Sequence, residues 1–539
     1  MEIYKKYFSK YYSELILLSI IFLLFFQLIS DFIESIYALN LIEVELNENI
    51  AAALFLLTPI VLFFFKKGIP EKLMVILGEI LIICRVLAPF FDTQIKMIFT
   101  GIGVGCFMIF FPGFLQKKSK ENPEEKSLLL GISLGGALVS LIFFKTLGST
   151  LDLTFQFWFL WIGWILAAVA GIMLLNLMNK DLQDEITKNI TNIETKIGTK
   201  WKIVGLSLGV IGVIALIYFA FSSPAVIARW TEGDYLSIIV ILILVMTLSL
   251  FFILFKPEII TKITTKGVLI WNLIFIITLV VTIAINQIPF ALVPYPFYAP
   301  TTTILFQIPL YIMLVLSPII LIDFILLLRE LFRSRPSARK MGVSFFIASL
   351  IFLLMIFSVT FTIVWDYIPY VGFLFRDMIW LVFLIISVFM AVPLLLVKEE
   401  SLTFIKRSRE MLKSKFKVGG IIGILCLGTI IGVIALEFPT KPDGVDNPIR
   451  ILSYNIQQGF DEDGNRNFEG QRDVILNANA TIIGLQESDT CRISSGNADI
   501  VRYVNNQLKY YSYFGPKTVT GTYGIALLSK YPIKNAKTF

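Results

Sequence analysis

Long apolar runs, each bounded by a short polar segment, make up most of the chain before its last hundred residues or so. Thirteen of them come close to the ~20 residues that a helix needs to cross a bilayer. The first five are Leu15 to Ile33, Ile50 to Phe65, Leu73 to Phe91, Met97 to Leu115 and Ser127 to Phe144. Four follow, from Phe155 to Met178, Ile203 to Phe221, Leu236 to Phe255 and Val268 to Ile288. The last four are Ile304 to Leu328, Val343 to Trp365, Phe373 to Val397 and Ile421 to Leu436. The runs at Ile50 and Ile421 are short, at 16 residues each. The pattern predicts a polytopic α-helical membrane region over residues 1–437, a Pro-, Gly- and Asp-containing linker over 438–448, and a soluble α/β unit over 449–539.

Charge tests the helix count. With the N-terminus taken as cytoplasmic, successive inside segments hold 3, 3, 4, 5, 3, 5 and 7 Lys plus Arg, 30 in all, whereas the outside loops hold only Lys96, Lys145 and Arg229. A miscounted helix would swap the two sets partway along, so the unbroken alternation supports thirteen crossings. Odd parity then places everything after Leu436 outside. Lys5, Lys6 and Lys10 before the first run give it the look of a signal peptide, but no small-x-small cleavage site follows, so it is expected to remain as a helix.

Composition agrees and removes alternatives. Of the 539 residues 57% are hydrophobic and 16% charged, with a mean hydropathy of +0.81, which excludes a soluble globular protein. The net charge of +7 lies in loops between apolar runs and so reports topology; no nucleic-acid partner is expected. Cys84, Cys106 and Cys426 fall in apolar segments and Cys491 in the polar tail, so no disulfide framework can be drawn. The chain contains no histidine, the commonest general base.

Ionisable residues deep in a membrane helix are costly and call for a role. Glu79 and Arg85 in the third run qualify. Six positions apart, they point about 240° from one another, so each is expected to face a different neighbour, either in a polar contact that locks helices or along a substrate path. Asp323, Arg376 and Asp377 lie near helix ends, where snorkelling to the interface accounts for them. The loop from Asn179 to Lys202, with its Asn189-Ile190-Thr191 sequon, reads as a solvated inside hairpin.

In the tail, strands are predicted over Arg450 to Ile456, Thr481 to Gln486 and Tyr523 to Ser529, with helices over Phe468 to Ala478 and Asp499 to Leu508. Asn455 closes the first strand, and Glu487 follows the second 32 residues later. If those strands are neighbours, an amide oxygen and a carboxylate converge on one edge of the sheet, a hard donor set suited to Mg²⁺. From spacing alone the favoured reading is a turn former at Asn455 and a solvated strand-end charge at Glu487.

The runs ILSYNIQQGFDEDGNRNF (Ile451 to Phe468), IIGLQESDTCRISSGNADIVRYVNNQL (Ile482 to Leu508) and YYSYFGPKTVTGTYGIALLSKYPI (Tyr510 to Ile533) resemble the N-terminal half of an endonuclease/exonuclease/phosphatase domain. The GLQESDT and YFGPKTVTGTYGIALLSKYPI stretches resemble one branch in particular, the cell-wall-biogenesis forty-three family of GPI-lipid remodelling proteins, which join a polytopic region to such a domain. The resemblance implies a truncated two-layer α/β sandwich in which Asn455 and Glu487 are the catalytic and metal-holding residues for Mg²⁺ or Mn²⁺. It also implies membrane lipids, including glycolipid anchors, as partners. The late Asp-x-Asn and Asp-His elements of that superfamily are not found after Tyr531, so the chain alone is expected to be inactive and to represent a piece of a longer protein. The implied function is Mg²⁺-dependent phosphodiester hydrolysis or transfer on lipids at the extracytoplasmic face. The alternative is a transporter or scramblase carrying a non-catalytic domain.

Overall fold

The computed structural model describes residues 2–41, 53–66, 68–184, 199–258, 260, 263–287, 304–365, 368–397, 409–438, 448–488, 490–515 and 524–536. The Asn189 sequon, most of the 438–448 linker and the residues after Ala536 lie outside them.

Helix α1 (Glu2–Leu41) begins at one end of a helical bundle, where Glu14 meets Lys118 and Lys126 at 2.6 Å each. It finishes at the other, where Asp31 and Glu34 meet Arg466 of the tail at 3.2 and 3.0 Å. These pairs define an N-terminal end and a tail end. Helices α2 (Glu71–Leu87), α3 (Thr93–Lys118), α4 (Pro123–Leu147), α5 (Leu160–Asp184) and α6 (Lys200–Leu216) then run alternately toward and away from the tail end. The short α7 (Pro224–Thr231) lies at the tail end. Beyond it come α8 (Tyr235–Phe255), α9 (Thr265–Asn286), a broken pair α10 (Ile304–Leu316) and α11 (Ile319–Arg333), α12 (Ala338–Ile363), α13 (Ile379–Ala391) and α14 (Arg409–Glu437), again alternating.

Among the described residues twelve spans are long and apolar enough to cross a membrane. The chain is an integral multi-pass membrane protein. The expected run Ile50 to Phe65 is not among those twelve: its described part makes a short helical turn followed by a 3₁₀ segment, Thr58–Phe64. It still traverses the bundle. Phe55 lies against Gly101, Thr58 against Gly105, Ile69 against Gly113 and Gly68 against Gln116, a walk along about 22 Å of α3. Side chains as small as those of Gly101, Gly105 and Gly113 admit an irregular strand of chain at close range. A Cβ at Gly101 would come within 2.5 Å of the Phe55 ring. Among the described residues these twelve spans and this segment give thirteen traverses, and the start of α1 and the tail occupy opposite ends.

The span Ile304–Arg333 breaks between Leu316 and Ile319 because Pro318 has no N–H to give. Trp271 Nε1 donates to the Leu316 carbonyl at 2.9 Å, and Ser317 Oγ donates to Leu314 at 2.7 Å, so the interruption is hydrogen-bonded within the protein. One turn further on, Asp323 is fully buried and accepts from Asn272 Nδ2 at 3.0 Å. Contrary to the expectation from its place near the end of an apolar run, it does not snorkel; the span continues ten residues beyond it to Arg333. Arg376 and Asp377 pair with each other at 3.6 Å in a partly exposed loop.

The tail is a four-stranded sheet, β1 (Ile451–Asn455), β2 (Ile482–Gln486), β3 (Tyr511–Gly515) and β4 (Ile525–Ser529), in the order β1-β2-β4-β3. Its β1 and β2 are parallel, joined through α15 (Phe468–Ala478); β4 is antiparallel to both β2 and β3. Ile483, Leu485 and Leu528 on one face pack with Ile475 of α15 and Val501 and Tyr503 of α16 (Ile500–Leu508). On the other face of β1, Ile451, Ser453 and Asn455 are exposed. This is one layer of sheet with helices packed on one of its faces. The strand Tyr511–Gly515 is an addition to the pattern read from sequence.

Candidate functional site

Register brings the two candidate ligands together. Asn455 ends β1 directly beside Gln486, the last residue of β2, so Glu487 leaves the sheet next to Asn455. Asn455 Nδ2 donates to Glu487 Oε1 at 2.9 Å, and both side chains are solvent-exposed. The amide oxygen of Asn455 accepts the Gln457 N–H at 2.9 Å. Glu487, Gln457 and Gln458 all hold the left-handed backbone, with φ of 47°, 43° and 58°. The Gln458 N–H bonds the Glu487 carbonyl at 2.8 Å. For non-glycine residues this backbone costs on the order of 1 kcal/mol each, and such strain collects at functional sites. Gln486 does not join the pair: its Nε2 donates to Ser453 Oγ at 3.1 Å and to the Gly484 carbonyl at 3.3 Å.

The edge that carries Asn455 and Glu487 is turned toward the bundle. Tyr37 of α1 donates its hydroxyl to Gln458 Oε1 at 3.0 Å, three residues after Asn455. The loop after Glu487 seats a 3₁₀ turn, Ile493–Ser495, against α1. Beside it Lys145 Nζ donates to the Gly496 carbonyl at 2.9 Å, and Ser223 Oγ to that of Asn497 at 2.7 Å. Arg229 holds Asp499 with two hydrogen bonds of 2.7 and 3.2 Å, and Arg502 pairs with Glu437 at 2.6 Å. Burial pushes the Cys491 thiol up, as expected of a packed rather than a reactive cysteine. All four cysteines are buried and free.

Glu79 and Arg85 do not meet, as their spacing predicts. Arg85 Nε donates to Gln27 at 2.7 Å and its Nη2 to Thr154 Oγ1 at 2.7 Å, while its guanidinium lies 3.6 Å over the Phe155 ring. Gln27 in turn donates to Asp152 at 2.8 Å, so Arg85 ties α1, α2 and the α4–α5 connection together. Glu79 faces Gly171 of α5 instead. The sequence reading did not single out Asp31, Glu34 or Arg466. The available signal was two acids one helical turn apart at the tail end of an apolar run.

As a metal site the pair supplies one carboxylate and one amide oxygen. No cluster of three or more His, Cys, Asp or Glu able to hold a metal occurs among the described residues. Mg²⁺ is held by one or two carboxylates and keeps several waters, so this donor set fits it once the Asn455 amide turns its oxygen toward Glu487.

Residues 447–539 match the family model of the PGAP2IP C-terminal nuclease-like domain. The tail is a nuclease-like domain. The chain is also similar to Protein cwh43 of Schizosaccharomyces pombe, 38% identical over 65 residues. That alignment spans 12% of this chain and 7% of the yeast protein. The nuclease-like domain thus sits on a multi-pass bundle, docked by the edge of its sheet that bears the candidate ligands.

Proposed function

We propose that the protein processes phosphodiester bonds of membrane lipids in a metal-dependent reaction, with the nuclease-like domain on the extracytoplasmic side. The observation that carries this reading is the orientation of the sheet: the strand ends bearing Asn455 and Glu487 face the bundle, within one loop of Tyr37, where a lipid headgroup would arrive. The similarity to the nuclease-like family and to Protein cwh43 supports the phosphodiester chemistry. Asn455 and Glu487 would hold Mg²⁺ or Mn²⁺, which supplies charge stabilisation at a phosphoryl oxygen. The chain's own part is to orient that pair: the parallel register of β1 and β2 sets its spacing, and the Gln458 to Glu487 backbone bond fixes the loop. The sequence offers no imidazole, so a group other than histidine would activate the nucleophile. GPI-lipid remodelling is the finer form of this proposal, with glycolipid anchors as substrates and no nucleic-acid partner.

The test is Mn²⁺ binding to the purified full chain, followed by paramagnetic resonance. Glu487→Gln, which keeps shape and removes charge, is expected to weaken binding by about 10- to 100-fold, the range found when groups supporting a metal are lost. Equal binding in the variant sinks the metal assignment. The orientation has its own check. Acceptor sites for glycosylation placed after Ala536 are expected to be modified and those before Glu2 not; the reverse pattern would put the domain in the cytosol.

A second reading, a transporter or scramblase with an appended domain, is favoured by the broken α10–α11 span and its buried Asp323. Lipid movement across proteoliposomes that survives Glu487→Ala would support it.

A further inference from the structure

At the tail end of the bundle, between the start of α15 and the connections flanking α3 and α5, lies a cleft of about 230 Å³. That is more than ten times the ~10–15 Å³ needed to hold one water, so it admits a group of several heavy atoms. Its outer wall is apolar and exposed: Phe157 is 69% exposed, and Trp158 and Trp161, neighbours of Phe157 in sequence, are 77% and 53% exposed. Exposed aromatic residues at the end of a membrane helix mark the level of the headgroups. The inner wall carries two pairs of opposite charges. Arg466 and Asp31 are already committed to each other at 3.2 Å. Lys96 and Glu469 are not: neither side chain makes a hydrogen bond or ion pair with a described residue, and they do not pair across the cleft. Lys96 senses Glu34, and Glu469 senses Arg472, only through longer-range attraction.

We infer that this cleft binds the zwitterionic headgroup of a membrane phospholipid, with Lys96 receiving the phosphate and Glu469 the ammonium. Two unlike charges left uncommitted in one cleft at headgroup depth complement a ligand that carries both signs. A purely anionic lipid would satisfy Lys96 and be repelled by Glu469, and a neutral one would leave both unmatched. The acyl chains leave over Phe157 and Leu160 into the bilayer. This site stands apart from the Asn455–Glu487 pair and needs no metal.

The test uses the full chain, stripped of lipid in detergent and titrated without metal, with bound lipid read by intact-protein mass spectrometry. Phosphatidylethanolamine is expected to be retained at least about 10-fold more tightly than phosphatidylglycerol or diacylglycerol. Lys96→Gln and Glu469→Gln are each expected to lower its retention about 10-fold, the usual scale for a hydrogen bond to a charged group. Reversing both charges together, Lys96→Glu with Glu469→Lys, should recover part of that loss. Both positions are partly exposed, so the single Gln variants should still fold and unfold cooperatively. Equal retention of the three lipids, variants indistinguishable from wild type, or glycerophosphoethanolamine binding as tightly as the intact lipid would each overturn the inference.

Discussion

Arg466→Met is expected to loosen the nuclease-like domain from the bundle by about 3–5 kcal/mol, the cost of removing one partner from a buried ion pair. Arg466 reaches from the tail into the end of α1, to Asp31 at 3.2 Å and Glu34 at 3.0 Å, both acids being buried. Burial opposes the charge on the guanidinium, but Glu34 and Asp31 outweigh it and hold Arg466 above its ordinary range. Methionine keeps the volume and removes the charge, leaving two like-charged acids beside each other. The measurement is amide exchange at Ile493–Gly496, which should accelerate, with the thermal unfolding of the tail. Neutralising the acids as well, in Arg466→Met with Asp31→Asn and Glu34→Gln, should recover most of the loss, since a fully neutral site no longer strands a charge. A single variant as stable as wild type would show that packing rather than this triad holds the junction.

The junction also accounts for what charge alone left unexplained. The three basic residues that break the inside bias, Lys96, Lys145 and Arg229, all lie at the tail end: Lys145 binds the Gly496 carbonyl, Arg229 binds Asp499, and Lys96 lines the cleft under α15. Two of the three, Lys145 and Arg229, are thus bound directly to the domain.

Hydropathy made the spanning helices legible because lipid demands a long apolar run wherever a helix crosses. It placed Ile50 to Phe65 as a helix because composition does not reveal that glycines on α3 will shelter an irregular traverse. It also missed the break at Pro318, since one proline in an apolar run changes hydropathy little. In the tail, period and resemblance located β1, β2, β4 and both helices, and the register of β1 with β2 brings Asn455 to Glu487 as the spacing suggested. Tyr511–Gly515 is not legible as a strand, because its strand character depends on pairing with β4. The junction residues Asp31, Glu34, Arg466 and Asp499 are far apart in sequence, and only the docking of two units makes them neighbours.

Asp499 is the second point on which the junction turns, and its loss is expected to cost as much as that of Arg466. One carboxylate serves two residues: it takes two hydrogen bonds from Arg229 and one from the Arg502 N–H, capping α16. Its backbone exchanges hydrogen bonds with Thr150 at 2.9 and 3.0 Å, so the side chain is anchored from both elements. Burial alone would raise the Asp499 carboxyl, but Arg229, through charge and hydrogen bonds, and then Arg502 pull it below its ordinary value of 3.8. A group depressed on folding stabilises fully above its unfolded pKa and loses that contribution as the pH falls through the folded value. The attachment of the domain should therefore be constant from neutrality down to about pH 4 and weaken in more acid solution. Asp499→Asn keeps the cap and one acceptor for Arg229 but removes the charge; it should cost about 3–5 kcal/mol at neutral pH and abolish the part of the acid dependence that Asp499 supplies. Unfolding of the tail followed by amide exchange between about pH 3 and 7 measures both. If the variant retains the wild-type acid midpoint, another carboxylate governs the release of the domain and Asp499 does not.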